Sequence, residues 1–296
     1  MTGESETLLD EAMAVFDAQR RRLFGIAYRM LGTVSDAEDM VQETWIRWQG
    51  ADRSGIREPA AFLATVITRL SINALQSARS RRETYIGAWL PEPVNTDDDP
   101  ALGAEKGEAL EYAVILLLEK LSPTERAAYV LREAFDYPYP RIAEVIATTT
   151  VNARQLVSRA RAHLTSARHN AVSTDDRRRL LEAFLSAAQR GDVGELESLL
   201  AEDVVSSTDG NGVKLAARIP VIGRSRVAKF VAAFSSHFWI GKQIGWLEVN
   251  GQPAATLIED GEVTTLLTIA AGPDGIEQLL WVMAPAKLRA IAPVAG

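Results

Sequence analysis

A group of side chains suited to nucleic-acid recognition lies between residues 151 and 170. In a helix, residues 151, 154, 155, 158 and 161 share one face. That face and its borders carry the candidate residues Asn152, Arg154, Gln155, Ser158, Arg159 and Arg161. Such side chains bond base edges in the major groove and phosphate oxygens. The pattern predicts a helix that contacts DNA; a generic helical hairpin with a solvated face is the alternative.

A second basic segment runs from residue 69 to residue 82 and contains no acidic residue. Its candidate contacts are Arg69, Asn73, Arg79, Arg81 and Arg82. Arginines close to phosphates displace condensed counterions, so the segment predicts salt-dependent binding to DNA. The alternative is a solvated helix end.

The chain as a whole is acidic, in contrast to these two basic segments. The 296 residues include 32 basic and 39 acidic side chains, which give a net charge of −7 and disfavour non-specific binding to nucleic acid. Residues 97–108, between the two basic segments, carry five acids and one lysine. We hypothesise that this acidic spacer and the C-terminal part of the chain keep the basic segments from their binding partners in the free protein.

Acid–base chemistry has three candidates in the C-terminal part, namely Asp209, His237 and Glu248. Catalysis requires a positioned acid or base in an apolar pocket. Asp209 adjoins glycines, which suits a turn, and His237 lies among aromatic residues, which suits packing. We therefore predict that the protein is not an enzyme and uses no cofactor.

The amino-acid composition excludes several other kinds of protein. The chain has no cysteine and only three scattered histidines, so we expect neither disulfides nor a metal site. The longest apolar runs, such as Ala113 to Leu118, are too short to span a bilayer. The acidic N-terminus has no apolar signal segment. We expect a cytoplasmic protein with no membrane partner.

Local signals predict helices over most of the first 168 residues. Ser35 to Glu38 and Ser122 to Glu125 have the pattern of capping boxes, with Pro123 at the first helical position of the second. The first predicted helix has an apolar stripe: Ala37, Met40, Val41, Thr44, Trp45 and Trp48. Further helices are predicted at 60–82, 141–147 and 151–168, the last two joined by three threonines. Prolines interrupt the chain near Trp89 and Tyr139.

From residue 175 the pattern changes. Two helices are predicted near 177–190 and 193–200, followed by strands near 245–249, 252–258, 263–270 and 276–283. The dipeptides Asn250-Gly251, Asp260-Gly261 and Asp274-Gly275 separate these strands and are strong hairpin signals. This part is predicted to be an α+β domain with an antiparallel meander.

The motifs together resemble a known family. Leu121 to Arg126, followed by Asn152 to Arg161, resembles region 4 of the extracytoplasmic-function (ECF) sigma factors, and Ser35 to Trp45 resembles their region 2.2. Tyr85 to Val94, with its Trp-Leu-Pro-Glu-Pro motif, and the Gly-rich stretch Asp209 to Gly223 resemble the subgroup with a SnoaL-like C-terminal extension. Two stretches depart from that subgroup: Asn211 replaces a usual glycine, and Ala284 to Leu288 reads Ala-Pro-Ala-Lys-Leu in place of Asn-Pro-Asp-Lys-Leu.

The resemblance implies a multi-domain fold class. An all-α region 2 spans about 8–86, a linker 87–108, an all-α helix-turn-helix region 4 about 109–168, and an α+β SnoaL-like or NTF2-like cone-shaped barrel 175–296. It implies an alternative sigma factor that binds core RNA polymerase, recognises the −35 and −10 promoter elements and promotes DNA opening.

The resemblance also implies roles for residues. Polymerase, through the clamp helices of its largest subunit, would contact Asp36, Asp39, Gln42 and Glu43. The 69–82 candidates would contact the −10 element, and the 151–170 candidates the −35 element. The loop at 50–59 is a candidate for the pocket that captures an unstacked base. Regulatory contacts within the chain would involve Trp89, Leu90, Pro91, Glu92, Pro93, Asp209, Gly210, Gly212 and Lys214.

Two other classes compete with the sigma factor. One is a helix-turn-helix regulator whose SnoaL-like domain binds or converts a small ligand. The other is a stand-alone repressor that binds duplex DNA without polymerase. The net charge of −7 and the region 2 resemblance argue against the repressor.

Overall fold

The computed structural model describes residues 2–83, 85–96, 112–165, 172–289 and 291. The chain divides into two compact units. Within the described residues, the helical unit contains 2–83 and 114–164, and the C-terminal unit contains 85–96, 112–113 and the residues from 165 onward. Each unit is described by itself.

Three helices form the first part of the helical unit: α1 (Thr2–Leu31), α2 (Val34–Gln49) and α3 (Pro59–Glu83), with a 3-10 turn (Arg53–Gly55) before α3. Helices α2 and α3 both pack on α1. The side chain of Trp48 is buried, and its indole N–H donates to the carbonyl of Ala12 at 2.9 Å. A buried indole requires such a partner, so this bond fixes the C-terminal half of α2 on α1.

The start of α2 differs from the prediction. Thr33, not Ser35, is the N-cap, and its hydroxyl oxygen accepts from the backbone N–H of Asp36. The Thr33 hydroxyl also donates to the Asp36 carboxylate at 2.6 Å. A threonine followed three residues later by an acid satisfies the same free N–H groups as a serine would. The earlier cap therefore starts the helix before Ser35.

The second group of helices consists of α4 (Tyr112–Leu118), α5 (Pro123–Glu133), α6 (Tyr139–Val145) and α7 (Thr150–Thr165). All lie in the helical unit except residues 112–113 at the start of α4 and residue 165 at the end of α7. The predicted capping box at Ser122 is confirmed, because Ser122 and Glu125 satisfy each other's backbone N–H groups. The helix predicted at 141–147 lies two residues earlier. The sequence predicts that α7 ends at residue 168. That end cannot be compared, because residues 166–171 lie outside the described residues.

The C-terminal unit is an α+β domain. Its elements are α8 (Thr174–Arg190), α9 (Val193–Leu199), β1 (Leu200–Asp209), β2 (Val221–Ile222), α10 (Arg224–Ala233), β3 (Gln243–Val249), β4 (Gln252–Glu259), β5 (Glu262–Gly272), β6 (Gly275–Val282) and α11 (Pro285–Leu288). The sheet order is β2-β1-β6-β5-β4-β3. Apolar residues of α8, α9 and α10 pack on the sheet around Phe184, Leu196 and Trp281.

The predicted meander β3-β4-β5-β6 is confirmed, and its first two turns have the expected chemistry. Asn250, Gly251, Asp260 and Gly261 all have positive φ, as a type I′ turn requires. The domain is nevertheless not wholly antiparallel, because β1 pairs with β6 in parallel. The sequence analysis missed β1, whose acidic start obscures alternation. Pairing with β6 places the end of β1 beside the end of the meander, where Asp209 lies next to Val282.

Candidate nucleic-acid and polymerase interfaces

Helix α7 buries one face and exposes the other. Ala153, Leu156, Val157, Ala160 and Leu164 are each at most 5% exposed. The exposed face carries five of the six predicted DNA contacts, Arg154, Gln155, Ser158, Arg159 and Arg161, while Asn152 is half-buried. The apolar face anchors the helix in the unit and leaves the polar face at the surface.

Four of these side chains already have partners within the unit. Arg159 pairs with Glu125 at 3.4 Å and Arg161 with Glu133 at 2.8 Å. The Arg154 guanidinium lies 5.5 Å from the centre of the Tyr139 ring, and Asn152 donates to the Thr148 hydroxyl at 2.8 Å. Gln155 and Ser158 are exposed near the centre of the same face. The structure therefore gathers all six residues but orients the arginines through α5 and α6.

A cationic cleft of about 650 Å³ lies beside the loop before α3. Its walls include the guanidinium-bearing residues Arg47, Arg57, Arg69 and Arg141 together with Phe62. Phosphates suit the arginines, and an unstacked base can lie against an aromatic ring. The sequence analysis singled out the 50–59 loop but missed Phe62 and Arg141, because nothing in the sequence brings α6 to this cleft.

The other −10 candidates are only partly described. Asn73 is exposed on α3. The side chains of Arg79, Arg81 and Arg82 lie outside the described residues. Arg69 lines the cleft and is bonded to the neighbouring segment: its Nε donates to the carbonyl of Val145 at 2.9 Å and a terminal nitrogen to that of Glu144 at 3.0 Å. These carbonyls end helix α6, where a cation is favoured.

Further contacts join α1 to the α5–α6 segment. A terminal nitrogen of Arg22 donates to the carbonyl of Phe135 at 3.3 Å, and its guanidinium lies 5.1 Å from the centre of the Tyr137 ring. Arg126 is buried; it donates to the carbonyl of Arg29 at 2.9 Å and pairs with Glu119. Burial lowers the pKa of Arg126 to about 9. Helix α1 and the α5–α6 segment thus pack together inside the helical unit.

The acidic face of α2 borders a groove of about 420 Å³ between α1 and α2. Asp39 and Gln42 are exposed and line it with the apolar side chains of Met13, Phe16 and Trp45. The two remaining candidates are engaged locally: Asp36 bonds Thr33, and Glu43 pairs with Arg47 at 3.0 Å. An apolar floor with acidic edges fits a helical partner with a basic surface.

In the C-terminal unit, Asp209 binds the linker. We call Tyr85, Leu90, Asp209 and Lys287 the Asp209 cluster. The Asp209 carboxylate accepts from the backbone N–H of Leu90 at 2.8 Å, the Tyr85 hydroxyl at 2.5 Å and the Lys287 ammonium at 2.6 Å. Burial and the bond to Asp209 raise the pKa of Tyr85. The expectation that Asp209 lies in a turn is wrong, because it ends β1 and is fully buried.

Lys287 completes this attachment. Its ammonium donates to the Leu90 carbonyl and lies 4.4 Å from the centre of the Trp89 ring. The linker then continues along the edge of the sheet, where Val94 exchanges backbone and side-chain bonds with Asn250, and the Thr96 N–H donates to the Glu248 carbonyl at 3.0 Å. Edge strands accept an added segment in this manner. The Tyr112 hydroxyl also donates to the carbonyl of Pro91.

The Gly-rich motif shapes the loop after β1. A Cβ on Gly210 would lie 2.1 Å from the Cβ of Ala216, so only glycine fits without a shift. Gly212 has a φ of +91°, and Asn211 reaches +43°, a conformation that asparagine tolerates. Lys214 is exposed. The structure places Gly210 and Gly212 close to the linker but gives Lys214 no role.

The remaining acid–base candidates lie apart. His237 is exposed beside Ser236, and Glu248 bonds the Thr96 hydroxyl at 2.8 Å. Across the described ranges, no three side chains of histidine, aspartate or glutamate form a group that could hold a metal. In the same ranges, no helix has both the length and the apolar character needed to cross a bilayer.

Comparison with known proteins defines the class. Residues 15–81 match the Sigma-70 region 2 family, and residues 112–164 match Sigma-70 region 4. A sigma factor binds core RNA polymerase and promoter DNA to start transcription, and the helices described above are its two conserved regions.

The relatives define the family more narrowly. The chain is 40% identical over 232 residues to "ECF RNA polymerase sigma factor SigJ" of Mycobacterium tuberculosis, covering 76% of this chain and 74% of that protein. It is 30% identical over 283 residues to "Probable ECF RNA polymerase sigma factor SigI" of the same species, covering 94% and 95%. The crystal structure of M. tuberculosis SigJ matches with a TM-score of 0.76 and 32% identity, covering 96% of this chain and all of that chain. The chain belongs to the ECF RNA polymerase sigma factors.

Proposed function

We propose that this alternative sigma factor recognises the −35 element with helix α7 and the −10 element with the cationic cleft. The observation that carries the proposal is the division of α7 into a buried apolar face and an exposed face bearing Arg154, Gln155 and Ser158. A helix of this kind fits the major groove, where glutamine and arginine distinguish adenine and guanine.

The −10 role is supported by the composition of the cleft. Arg47, Arg57 and Arg69 supply charge for phosphates, and Phe62 supplies a stacking surface. Opening the duplex requires a few kcal/mol to unstack a base, and a pocket of this composition offsets part of that cost. Asn73, exposed on α3, and the arginines at positions 79, 81 and 82, whose side chains lie outside the described residues, are assigned to the same promoter element.

Polymerase binding is assigned to the groove between α1 and α2. Asp39 and Gln42 are the exposed polar contacts, and Met13, Phe16 and Trp45 form its apolar floor. We assign the clamp helices of the largest polymerase subunit to this groove. The protein then acts in the cytoplasm as part of the complex with polymerase. Because it does not have to hold promoter DNA by itself there, its net charge of −7 does not prevent recognition.

Regulation within the chain is assigned to the C-terminal domain. The Asp209 cluster and the sheet edge hold residues 85–96, the segment that joins region 2 to region 4. Because the two regions must separate to span a promoter, a domain that holds the connecting segment tunes their spacing. The acidic spacer at 97–108, which lies outside the described residues, belongs to the same connection along the chain.

The experiment is multiple-round transcription by core polymerase with the full chain and with Gln155→Ala. The full chain is expected to start RNA synthesis at promoters with a defined −35 sequence, and Gln155→Ala is expected to relax preference at one −35 position. Transcription whose −35 preference is unchanged in Gln155→Ala and also in Arg154→Ala would contradict the assignment of α7.

A further inference from the structure

The C-terminal unit contains an aromatic cavity that no role above uses. Its lining comes from the end of β1 and the loop after it (Thr208, Leu215), from α10 and the turn that follows (Phe230, Val231, Phe234, Phe238, Trp239), and from the end of β6 and the next residue (Trp281, Met283). The rings of Phe238 and Trp281 meet edge to face at 6.1 Å. The exposed side chain of Leu215 lies at the rim.

Hydrogen bonding around the cavity is uneven. The indole N–H of Trp281 donates to the Ser206 hydroxyl at 3.2 Å. The Trp239 Nε1 is buried and has no partner among the described residues. A buried donor without a partner is unfavourable, and an acceptor on a ligand would satisfy it.

We propose that this cavity binds a small single-ring ligand that carries a hydrogen-bond acceptor. The apolar walls take the ring by dispersion and burial, and Trp239 and Thr208 supply the polar contacts. The cavity measures about 50 Å³, which is smaller than the roughly 150 Å³ of a closed cavity that binds benzene. The ligand therefore has one ring, and part of it extends toward Leu215.

The cavity adjoins the linker attachment. Thr208 lines the cavity and the next residue, Asp209, holds Leu90 and Lys287. On β6 and beyond, Trp281 and Met283 line the cavity, and the Met283 N–H donates to the Asp209 carbonyl at 2.7 Å. A ligand that orders these strand ends therefore also stabilises the Asp209 cluster.

The test measures binding of phenol and of toluene, which has the same size but no acceptor, to the full chain by tryptophan fluorescence. Phenol is expected to bind about threefold to tenfold more tightly, and Trp239→Phe, which keeps a ring, to remove that difference. Bound phenol is expected to slow hydrogen exchange at the Leu90 amide. Equal affinity of the two compounds, a preference that survives Trp239→Phe, or no saturable binding would overturn the proposal.

A separate observation supports a second inference, which rests on the proposed −10 role of the cleft. Arg69 and Arg141 line the same cleft, and Arg69 is bonded to the end of α6, the helix that carries Arg141. We infer that in the free protein region 4 blocks the −10 cleft and competes with single-stranded DNA for Arg69. Arg22 and Tyr137 strengthen this closed arrangement away from the cleft.

Arg22→Ala tests the closed arrangement without removing a proposed DNA contact. The free variant is expected to bind a −10 non-template oligonucleotide about fivefold to thirtyfold more tightly than the unmodified chain. It loses the hydrogen bond to the Phe135 carbonyl and the contacts with the Phe135 and Tyr137 rings. The control Arg226→Ala removes an exposed charge from the C-terminal unit and is expected to have no such effect. Equal binding by Arg22→Ala and the unmodified chain overturns the inference. Failure of the −10 role itself would appear separately, as unchanged binding by Arg57→Ala holoenzyme.

Discussion

The carboxylate of Asp209 accepts a hydrogen bond from the backbone N–H of Leu90 at 2.8 Å, across 119 residues of sequence. The same carboxylate neutralises Lys287, which in turn bonds the Leu90 carbonyl. Both backbone polar groups of Leu90 are therefore held by an ion pair of the C-terminal domain. A buried backbone group requires such partners, so this contact fixes the position of the linker on the domain.

Replacing Asp209 by asparagine should release the linker. The amide keeps the size of the side chain but leaves the Lys287 ammonium, which is 10% exposed, without its counter-charge. Removing one partner of a buried pair costs about 3–5 kcal/mol. We expect lower stability in urea and faster proteolysis between residues 85 and 96. Asp203→Asn, an exposed position on the same strand, is the control; a variant at Asp209 as resistant as this control would argue against the attachment.

Two substitutions on α7 should distinguish a residue that contacts a base from one that contributes to the salt-dependent part of DNA binding. Gln155 is exposed and has room to meet a base edge, so Gln155→Ala should reduce −35 discrimination by about 1–3 kcal/mol. Arg161 is paired with Glu133, so Arg161→Ala should mainly reduce the salt dependence of binding. Competition binding of holoenzyme to matched and mismatched −35 duplexes measures both effects. Identical behaviour of the two variants would contradict this division of roles.

Charge reversal at Asp39 should weaken assembly with core polymerase. Asp39 is exposed at the edge of the α1–α2 groove, and an arginine there would repel a basic partner surface. We expect at least about a tenfold loss of affinity, measured with immobilised core enzyme. Asp203→Arg makes the same change of charge outside the groove and should bind normally. Equal affinities would place the polymerase contact elsewhere.

The capping box of α5 should make region 4 sensitive to acid. The Ser122 side chain bonds the Glu125 carboxylate at 2.7 Å and lowers the pKa of Glu125. The native state then binds fewer protons than the unfolded state, so this stabilisation is complete above the unfolded carboxyl pKa of 4.5 and is lost as the pH falls through the lowered value.

Ser122→Ala should therefore lower the free energy of unfolding by about 0.5–2 kcal/mol at pH 7 and by less at pH 4. Urea unfolding at the two pH values, followed by circular dichroism, gives the comparison. A destabilisation that is the same at both would mean that the Glu125 charge contributes nothing to the cap.

Local signals predicted most of the helices and the meander, and the reason is physical. The Ser122 cap and the Asn250-Gly251 and Asp260-Gly261 turns involve residues within a few positions of each other, so their side chains suffice. Strand β1 escaped prediction because its pairing with β6 joins residues more than 70 positions apart. Its identity as a strand depends on a partner that local alternation does not reveal.

The same distinction applies to the candidate sites. The exposed face of α7 follows from helical periodicity, and the family motif drew attention to Asp209 and the linker. Periodicity gave no indication that Arg69 would bond the end of α6 or that Arg141 would share its cleft. Those contacts depend on how separate helices pack, which the spacing of residues along one helix leaves open.

The most direct test of the account is run-off transcription by purified core polymerase on a promoter library randomised at the −35 and −10 positions. With the full chain, we expect transcripts enriched for one −35 and one −10 sequence; Gln155→Ala should alter the −35 preference alone, and Arg57→Ala the −10 preference alone. The assignment of α7 and the cleft would be contradicted if the full chain gave no more transcript than core polymerase alone. It would also be contradicted if Gln155→Ala changed the −10 preference or Arg57→Ala changed the −35 preference.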